Sequence, residues 1–363
     1  MGIGSSSLKV DEIVKPNSKF AIAGAIIAIV IALSLTQNYG SQTSHLVTSS
    51  DTLRIGYFLN LNHAQAVIGL GNGDFQRSLG NVKIETQVFN AGPSAIEALF
   101  ADRIDVTYVG PNAPINGYLK SDGQGLRIIA GATSGGAVFV IRNDSGIETT
   151  KDFEGKKFAS PQLGNTQDVA LRAYLLKSGY KTSENGGNVQ VIPAPNPDIL
   201  TMMINKHIDG AWVPEPWGTR LVNEANGRIF LDERDLWPGG KFVTAIIVVR
   251  IDYLENHPDV IKKLLVAHVD ETIWINNNRD EAIKTFNEQN KKLTGKTIPI
   301  NELQEAFSRM EITYDPVKSS LYKSADNAYS LGFLGNKKPD LSNIFDLKLL
   351  NEVLEEKNLT RIS

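Results

Sequence analysis

The sequence predicts an α/β protein of two doubly wound lobes joined by two crossing strands, and three observations carry that prediction. Strand-like runs alternate with single helices from Leu53 onward, which is the pattern of a parallel sheet wound on both faces. One stretch recurs: Ala101-Asp102-Arg103-Ile104-Asp105-Val106-Thr107-Tyr108-Val109 is echoed by the run from Ile204 through Ile208-Asp209 to Val213. Each is a helix end, an Ile-Asp pair and a strand, followed by a Pro-bearing turn. Third, AVFVIR (137–142) and VTAIIVVR (243–250) stand where the chain would leave one unit and return to it. Two such crossings make a hinge.

The first 51 residues stand outside this pattern. Residues 20–35 (FAIAGAIIAIVIALSL) hold no charge over 16 positions, the short edge of a membrane-spanning helix and the long edge of a signal core. Lys9, Lys15 and Lys19 precede it, which keeps the lead (1–19) in the cytoplasm. An anchor over 20–36 is the expected state; Ala32-Leu33-Ser34 is the site if the segment is cleaved and the protein secreted. Residues 37–51, rich in Ser and Thr, read as a flexible tether. The remainder then lies outside the cytoplasm, at the outer face of the membrane.

In lobe one (52–140 and 245–363), LRIGYF (53–58) and VKIETQVF (82–89) are strands, the second with a period of two. Gly92-Pro93-Ser94 opens a helix, with proline suited to the first turn. Strands at 104–110 and 126–132 follow. In lobe two (141–244), strands are expected at 156–160 and 189–194. Between them a helix runs over 165–178, closed by Gly179, with Val169, Arg172, Ala173 and Leu176 as its inward stripe. VTAIIVVR has the continuous apolar character of a strand buried on both faces. The rest is mainly helical, at 258–274, 279–289, 301–310 and 319–330.

Composition limits the chemistry. The chain has 363 residues, 42% hydrophobic, with a net charge of −3, so no basic face for nucleic acid is implied. It has no cysteine, which removes disulfides, thiolate metal sites and lipid attachment through sulfur. The five histidines have no HExxH or similar spacing, and no G-x-S-x-G elbow or P-loop occurs. No catalytic residue, metal or cofactor is therefore assigned. Gly69-Leu70-Gly71-Asn72-Gly73 follows a helix where a dinucleotide loop must follow a strand, and reads as a helix end.

Binding is the chemistry with positive signals. In open α/β sheets a ligand sits beyond the carboxyl ends of the strands, where helix N-termini offer free N–H groups. The residues expected there are Asn60, Asn62 and His63; Gly92, Pro93 and Ser94; Gly110 and Asn112; Ser134 and Gly135; and, in lobe two, Asn165, Thr166, Gln167, Glu215 and Trp217. Most are glycines, hydroxyls or amides, and none is Arg or Lys. Turn chemistry alone favours the same residue types. Trp217 reads either as a wall for the ligand or as a seam between lobes. Glu215 has three readings: partner to a ligand amine, partner to a basic residue at the hinge, or cap of the following helix. Asp168 belongs to a first helical turn.

Taken in order, L-R-I-G-Y (53–57), F-N-A-G-P-S (89–94), I-D-V-T-Y-V-G (104–110), E-G-K-K-F-A (154–159) and D-G-A-W-V-P-E-P-W (209–217) resemble the nitrate/sulfonate/bicarbonate (taurine-type) substrate-binding proteins of ABC importers. The resemblance covers about residues 52–250. It implies a type II periplasmic-binding-protein fold without catalysis. A monomer would close on a small anion or zwitterion and deliver it to an ABC permease and its ATPase subunit. Relatives that bind a pyrimidine precursor of thiamine are one alternative; an enzyme using His63 or Glu215 is another.

Overall fold

Across residues 51–363, which the computed structural model describes, eleven strands form two sheets. β1 (Thr52–Phe58) leads through a 3-10 turn at Leu61–His63 into α1 (Ala64–Gly71) and α2 (Asp74–Leu79). β2 (Lys83–Phe89), α3 (Gly92–Phe100), β3 (Val106–Val109), α4 (Asn112–Lys120) and β4 (Leu126–Gly135) follow. Then come β5 (Ala137–Arg142), β6 (Lys157–Ser160), α5 (Thr166–Lys177), β7 (Gln190–Pro193), α6 (Asn196–Ile204), β8 (Gly210–Pro214), α7 (Trp217–Glu224) and β9 (Gly227–Asp232). β10 (Val243–Arg250) returns the chain to the first sheet, completed by α8 (Ile251–Asn256), α9 (Pro258–Asn277), α10 (Arg279–Thr294), α11 (Ile300–Ser308), β11 (Met310–Ile312), α12 (Lys318–Ser330) and α13 (Lys348–Glu356).

The first sheet has the order β11-β4-β10-β3-β1-β2 and the second β7-β6-β8-β5-β9. Apart from the edge strand β11, the two share one design. Two parallel pairs (β2·β1 and β1·β3; β7·β6 and β6·β8) are followed by an antiparallel strand (β10; β5) and a strand antiparallel to that (β4; β9).

The Ile-Asp echo in the sequence is the chemical signature of this repeat. Asp105 Oδ2 accepts the Arg54 N–H at 2.8 Å where β1 begins, and Asp209 Oδ2 accepts the Lys157 N–H at 2.9 Å where β6 begins. Each aspartate therefore ties the strand it precedes, β3 or β8, to that strand's parallel neighbour, β1 or β6. A buried carboxylate needs such donors, and these charge-assisted bonds are the strong kind.

Each sheet is covered on both faces. β10 is buried from Val243 through Val249, which explains its continuous apolar composition; a fully buried aliphatic side chain contributes about 1.5–3 kcal/mol. On one side lie α1, α2, α9 and α10 with Phe75, Leu264 and Phe286; on the other, α3, α4 and α12 with Leu99, Tyr118 and Leu321. The second sheet is filled by aromatic rings, with Phe139 stacked on Trp212 at 5.4 Å and edge-on to Phe158 at 5.1 Å.

Several expectations need correcting. The first sheet is not parallel throughout, because β10 inserts between β3 and β4 and runs against both. In the inward stripe of α5, Val169 and Arg172 are buried as expected, but Leu176 is 48% exposed and Asp168, Leu171 and Leu175 are buried. A buried ion pair lies on this face. Asp168 Oδ1 accepts from Arg172 Nε at 3.0 Å, one helical turn away, and from Ser160 Oγ, while Oδ2 accepts the Gly164 N–H. The short elements α2, β11 and α13 were not anticipated. Residues 20–35 lie outside the described residues; among the described ones no helix is long and apolar enough to cross a membrane.

Candidate functional site

Between the lobes, where the carboxyl ends of the parallel strands meet, lies a small cavity of about 20 Å³, room for about one water molecule. Six of its lining residues are amides: Asn60, Asn62 and Asn90 from the first lobe, Asn165, Gln167 and Asn196 from the second. His63, Gly110 and Thr244 complete the polar lining. Among the described residues, no Lys or Arg lines it.

Helix starts aim at this place. Ala64 begins α1 beside Asn62 and His63, Asn165 is the N-cap of α5, and Asn196 opens α6. The free N–H groups and the positive end of the helix dipole favour a polar or anionic solute there. Asn62 is oriented by its own bonds: Nδ2 donates to Thr244 Oγ1 at 2.8 Å and to the Gly135 carbonyl at 3.1 Å. Its Oδ1 is buried without a partner among the described residues, as is Asn196 Oδ1. An acceptor left in that state is costly unless a ligand or water answers it.

His63 is a neutral donor. Its Nδ1 accepts the Phe58 N–H at 3.3 Å, which places the ring proton on Nε2, and the ring stacks on Phe58 at 4.5 Å. Burial pushes its pKa down to about 3. A ring of so low a pKa is a weak base, whereas general-base catalysis works best with a pKa near the operating pH.

Apart from Gly110, which lines the cavity, the expected residues not yet placed lie around it. Gly92 and Gly110 are the close-approach points. A Cβ on Gly110 would stand 2.4 Å from Thr166 Oγ1, and one on Gly92 3.2 Å from Asn165 Oδ1. Pro93 sits in the first turn of α3, where Ser94 Oγ donates to the Ala91 carbonyl at 2.9 Å. Asn112 Oδ1 accepts from Ser324 Oγ at 2.8 Å. Ser134 Oγ accepts the Phe242 N–H at 3.2 Å, and the Gly135 carbonyl serves Asn62.

Glu215 does not line this cavity, so the ligand-amine reading is set aside in favour of the other two together. It is fully buried; Oε1 accepts from Arg309 Nη1 at 2.8 Å, and Oε2 accepts the Thr219 N–H at 3.0 Å, as a helix cap does. Burial raises its pKa, against the pull of Arg309. Trp217 is a seam: Nε1 donates to Asn60 Oδ1 at 3.0 Å across the lobes, with Arg220 4.7 Å over its ring. The Leu61 N–H donates to the Glu215 carbonyl at 3.1 Å beside it.

Asn90, Asn196, Thr244 and Arg309 were missed from sequence. Asn90 and Asn196 were legible in principle, one ending a strand and the other opening a helix. Arg309 was not, since nothing local links it to a residue 94 positions away.

A second, larger cavity of about 790 Å³ opens on the other side of the Gly110–Thr166 contact. It lies between α5, α12 and the segment that returns the chain to β10. Glu233 sits in its wall, with Oε2 accepting from Trp212 Nε1 at 2.7 Å and Oε1 from Trp237 Nε1 at 3.3 Å. Burial pushes its pKa up to about 7. Folding therefore binds a proton at Glu233 that the unfolded chain has lost above about pH 4.5, so this group stabilises at low pH and the benefit disappears as pH rises through 7. The span is worth about 3 kcal/mol. In urea unfolding at pH 5 and pH 8, Glu233→Gln should flatten that dependence; an unchanged slope would show that the carboxyl is not held neutral.

Two lobes of one repeated design, closing on a polar pocket at their strand ends, define the class as the periplasmic-binding-protein fold. Solved structures share it. The nitrate-binding protein NrtA of Synechocystis superimposes with a TM-score of 0.72 over 84% of this chain and 88% of its own, at 17% identity. The alkanesulfonate-binding protein SsuA of Xanthomonas axonopodis gives 0.68 over 81% and 98%, also at 17% identity.

The chain belongs to the NMT1-like family, which it matches over residues 48–287. It is 28% identical over 220 residues to a Brucella abortus protein provisionally named a binding protein, a match covering 60% of this chain and 63% of that one, under two thirds of the relative's length. It is also 23% identical over 205 residues to the taurine-binding periplasmic protein of Escherichia coli, covering 56% and 61%.

Proposed function

We propose that the protein is the extracytoplasmic solute-binding component of an ABC importer. It binds a small anion or zwitterion of the sulfonate, nitrate or bicarbonate class between its lobes and delivers it to a permease driven by an ATPase subunit. The observation that carries this reading is the inter-lobe pocket of six amides and the His63 donor, met by three helix starts. Neutral donors hold an anion without a salt bridge, and such holding suits a carrier that must also release its cargo. The names of the relatives, taurine- and nitrate-binding among them, support the same class. In this reading the protein acts as a monomer, and residues 20–35 hold it at the outer face of the membrane.

Catalysis forms no part of this proposal. Glu215 is engaged by Arg309 and Thr219, and His63 is neutral. One observation favours a second ligand class, a pyrimidine precursor of thiamine. Asn62 Oδ1 is an unanswered acceptor, and an aminopyrimidine offers the N–H that a bare anion lacks.

A thermal-shift panel on the purified protein separates these readings. A ligand at a hundred times its Kd adds about 2.7 kcal/mol of stability. Taurine, an alkanesulfonate, nitrate or bicarbonate should raise Tm; a rise with an aminopyrimidine alone would transfer the assignment to the second class. A flat panel would remove both.

A further inference from the structure

We propose that the larger cavity is a second, separate binding site, built for an organic anion with a flat apolar body. The contrast in size is the first argument. The amide pocket is filled by its own side chains and holds about 20 Å³, whereas this chamber stands open at about 790 Å³, within the range of about 300–1,000 Å³ usual for sites that enclose a small organic molecule. The two are partitioned by contact between lobes. Thr166 lines the large chamber while its neighbours Asn165 and Gln167 line the small one, and Thr166 closes against Gly110.

The lining specifies the occupant. One wall is aromatic: Trp237 stacks on Phe242 with ring centroids 5.4 Å apart and planes 7° from parallel. Val169 and Ala173 of α5 oppose it. An apolar wall of this kind selects a flat hydrophobic body. Charge selects its end group. Lys177 on the second lobe and Lys323 on the first both line the chamber, and neither makes an ion pair among the described residues; Lys241 pairs with Glu311 at 3.5 Å. The one buried acid, Glu233, has an indole N–H on each oxygen. Two unpaired cations on opposite lobes would be brought to one carboxylate, as charge complementarity requires.

Isothermal titration of the full chain with 2-naphthoate, and with neutral 2-naphthamide as control, tests this. The expected result is saturable binding of the naphthoate, at least about tenfold tighter than the amide, the equivalent of 1.4 kcal/mol. Lys177→Glu with Lys323→Glu should abolish that preference, and Ala173→Trp should block binding by filling the chamber. The lysine variant should leave binding of small anions in the thermal-shift panel unchanged, which shows that it folds. Naphthoate binding that survives the charge reversal but is lost in Asn196→Ala would place the ligand in the amide pocket and overturn the proposal. Absence of naphthoate binding would also overturn it, and would leave the small-anion assignment untouched.

Discussion

Gly110→Ala should weaken binding of the transported solute by roughly tenfold to a hundredfold. The new Cβ would stand 2.4 Å from Thr166 Oγ1 and 3.4 Å from the Thr244 carbonyl, far inside van der Waals contact, and it meets the first of these only when the lobes are closed. Overpacking of this kind costs about 1–3 kcal/mol. Because the closed state alone bears it, the cost lowers the binding-competent fraction and appears directly in the apparent Kd. The radius of gyration from solution scattering should increase, since the variant rests open. Thr166→Ala in the same chain removes the clashing oxygen and should recover most of the affinity. Unchanged affinity in Gly110→Ala would mean that the solute binds without the lobe contact seen here.

Arg309→Met is expected to have the largest effect on stability. The Arg309–Glu215 pair joins the end of α11 to the turn before α7, with Glu215 fully buried and the Arg309 side chain 10% exposed. Removing one partner of such a pair costs about 3–5 kcal/mol, because the charge left behind has no compensation. The loss should depend on pH with a defined sign. Burial already raises the Glu215 pKa, and without Arg309 it rises further. The variant is then least damaged in acid, where Glu215 is protonated, and loses stability as pH rises through the raised pKa. Chemical denaturation at pH 5 and pH 8 measures this. Glu215→Gln in the Arg309→Met background should restore much of the pH 8 deficit while keeping the cap on the Thr219 N–H; no recovery would show that the arginine acts through packing alone.

The two-lobed design was legible because it is written locally. Ile104-Asp105 and Ile208-Asp209 recur since in each lobe the carboxylate before one strand receives an N–H near the start of its parallel neighbour. The amides of the pocket were partly legible for the same reason: strand ends and helix starts can be located from pattern, so Asn60, Asn62, Asn165 and Gln167 could be named in advance. The stripe of α5 was read in part: Val169 and Arg172 are buried, but hydrophobic periodicity cannot show that Asp168 is buried as the partner of Arg172 or that Leu176 is exposed.

By itself, then, the sequence determined the order of strands and helices, the repeat, and the uncharged character of the residues at the strand ends. These depend on propensity and on spacing within a few residues. Tertiary structure decided what those residues do. It assigned Glu215, open to three readings in the sequence, to Arg309 from 94 positions away and to its helix cap. Trp217 became a seam rather than a wall, and the contact of Gly110 with Thr166 divided the cleft into a small amide pocket and a large apolar chamber. The partner of a buried charge and the size of a cavity are set by elements distant in sequence, and only folding brings them together.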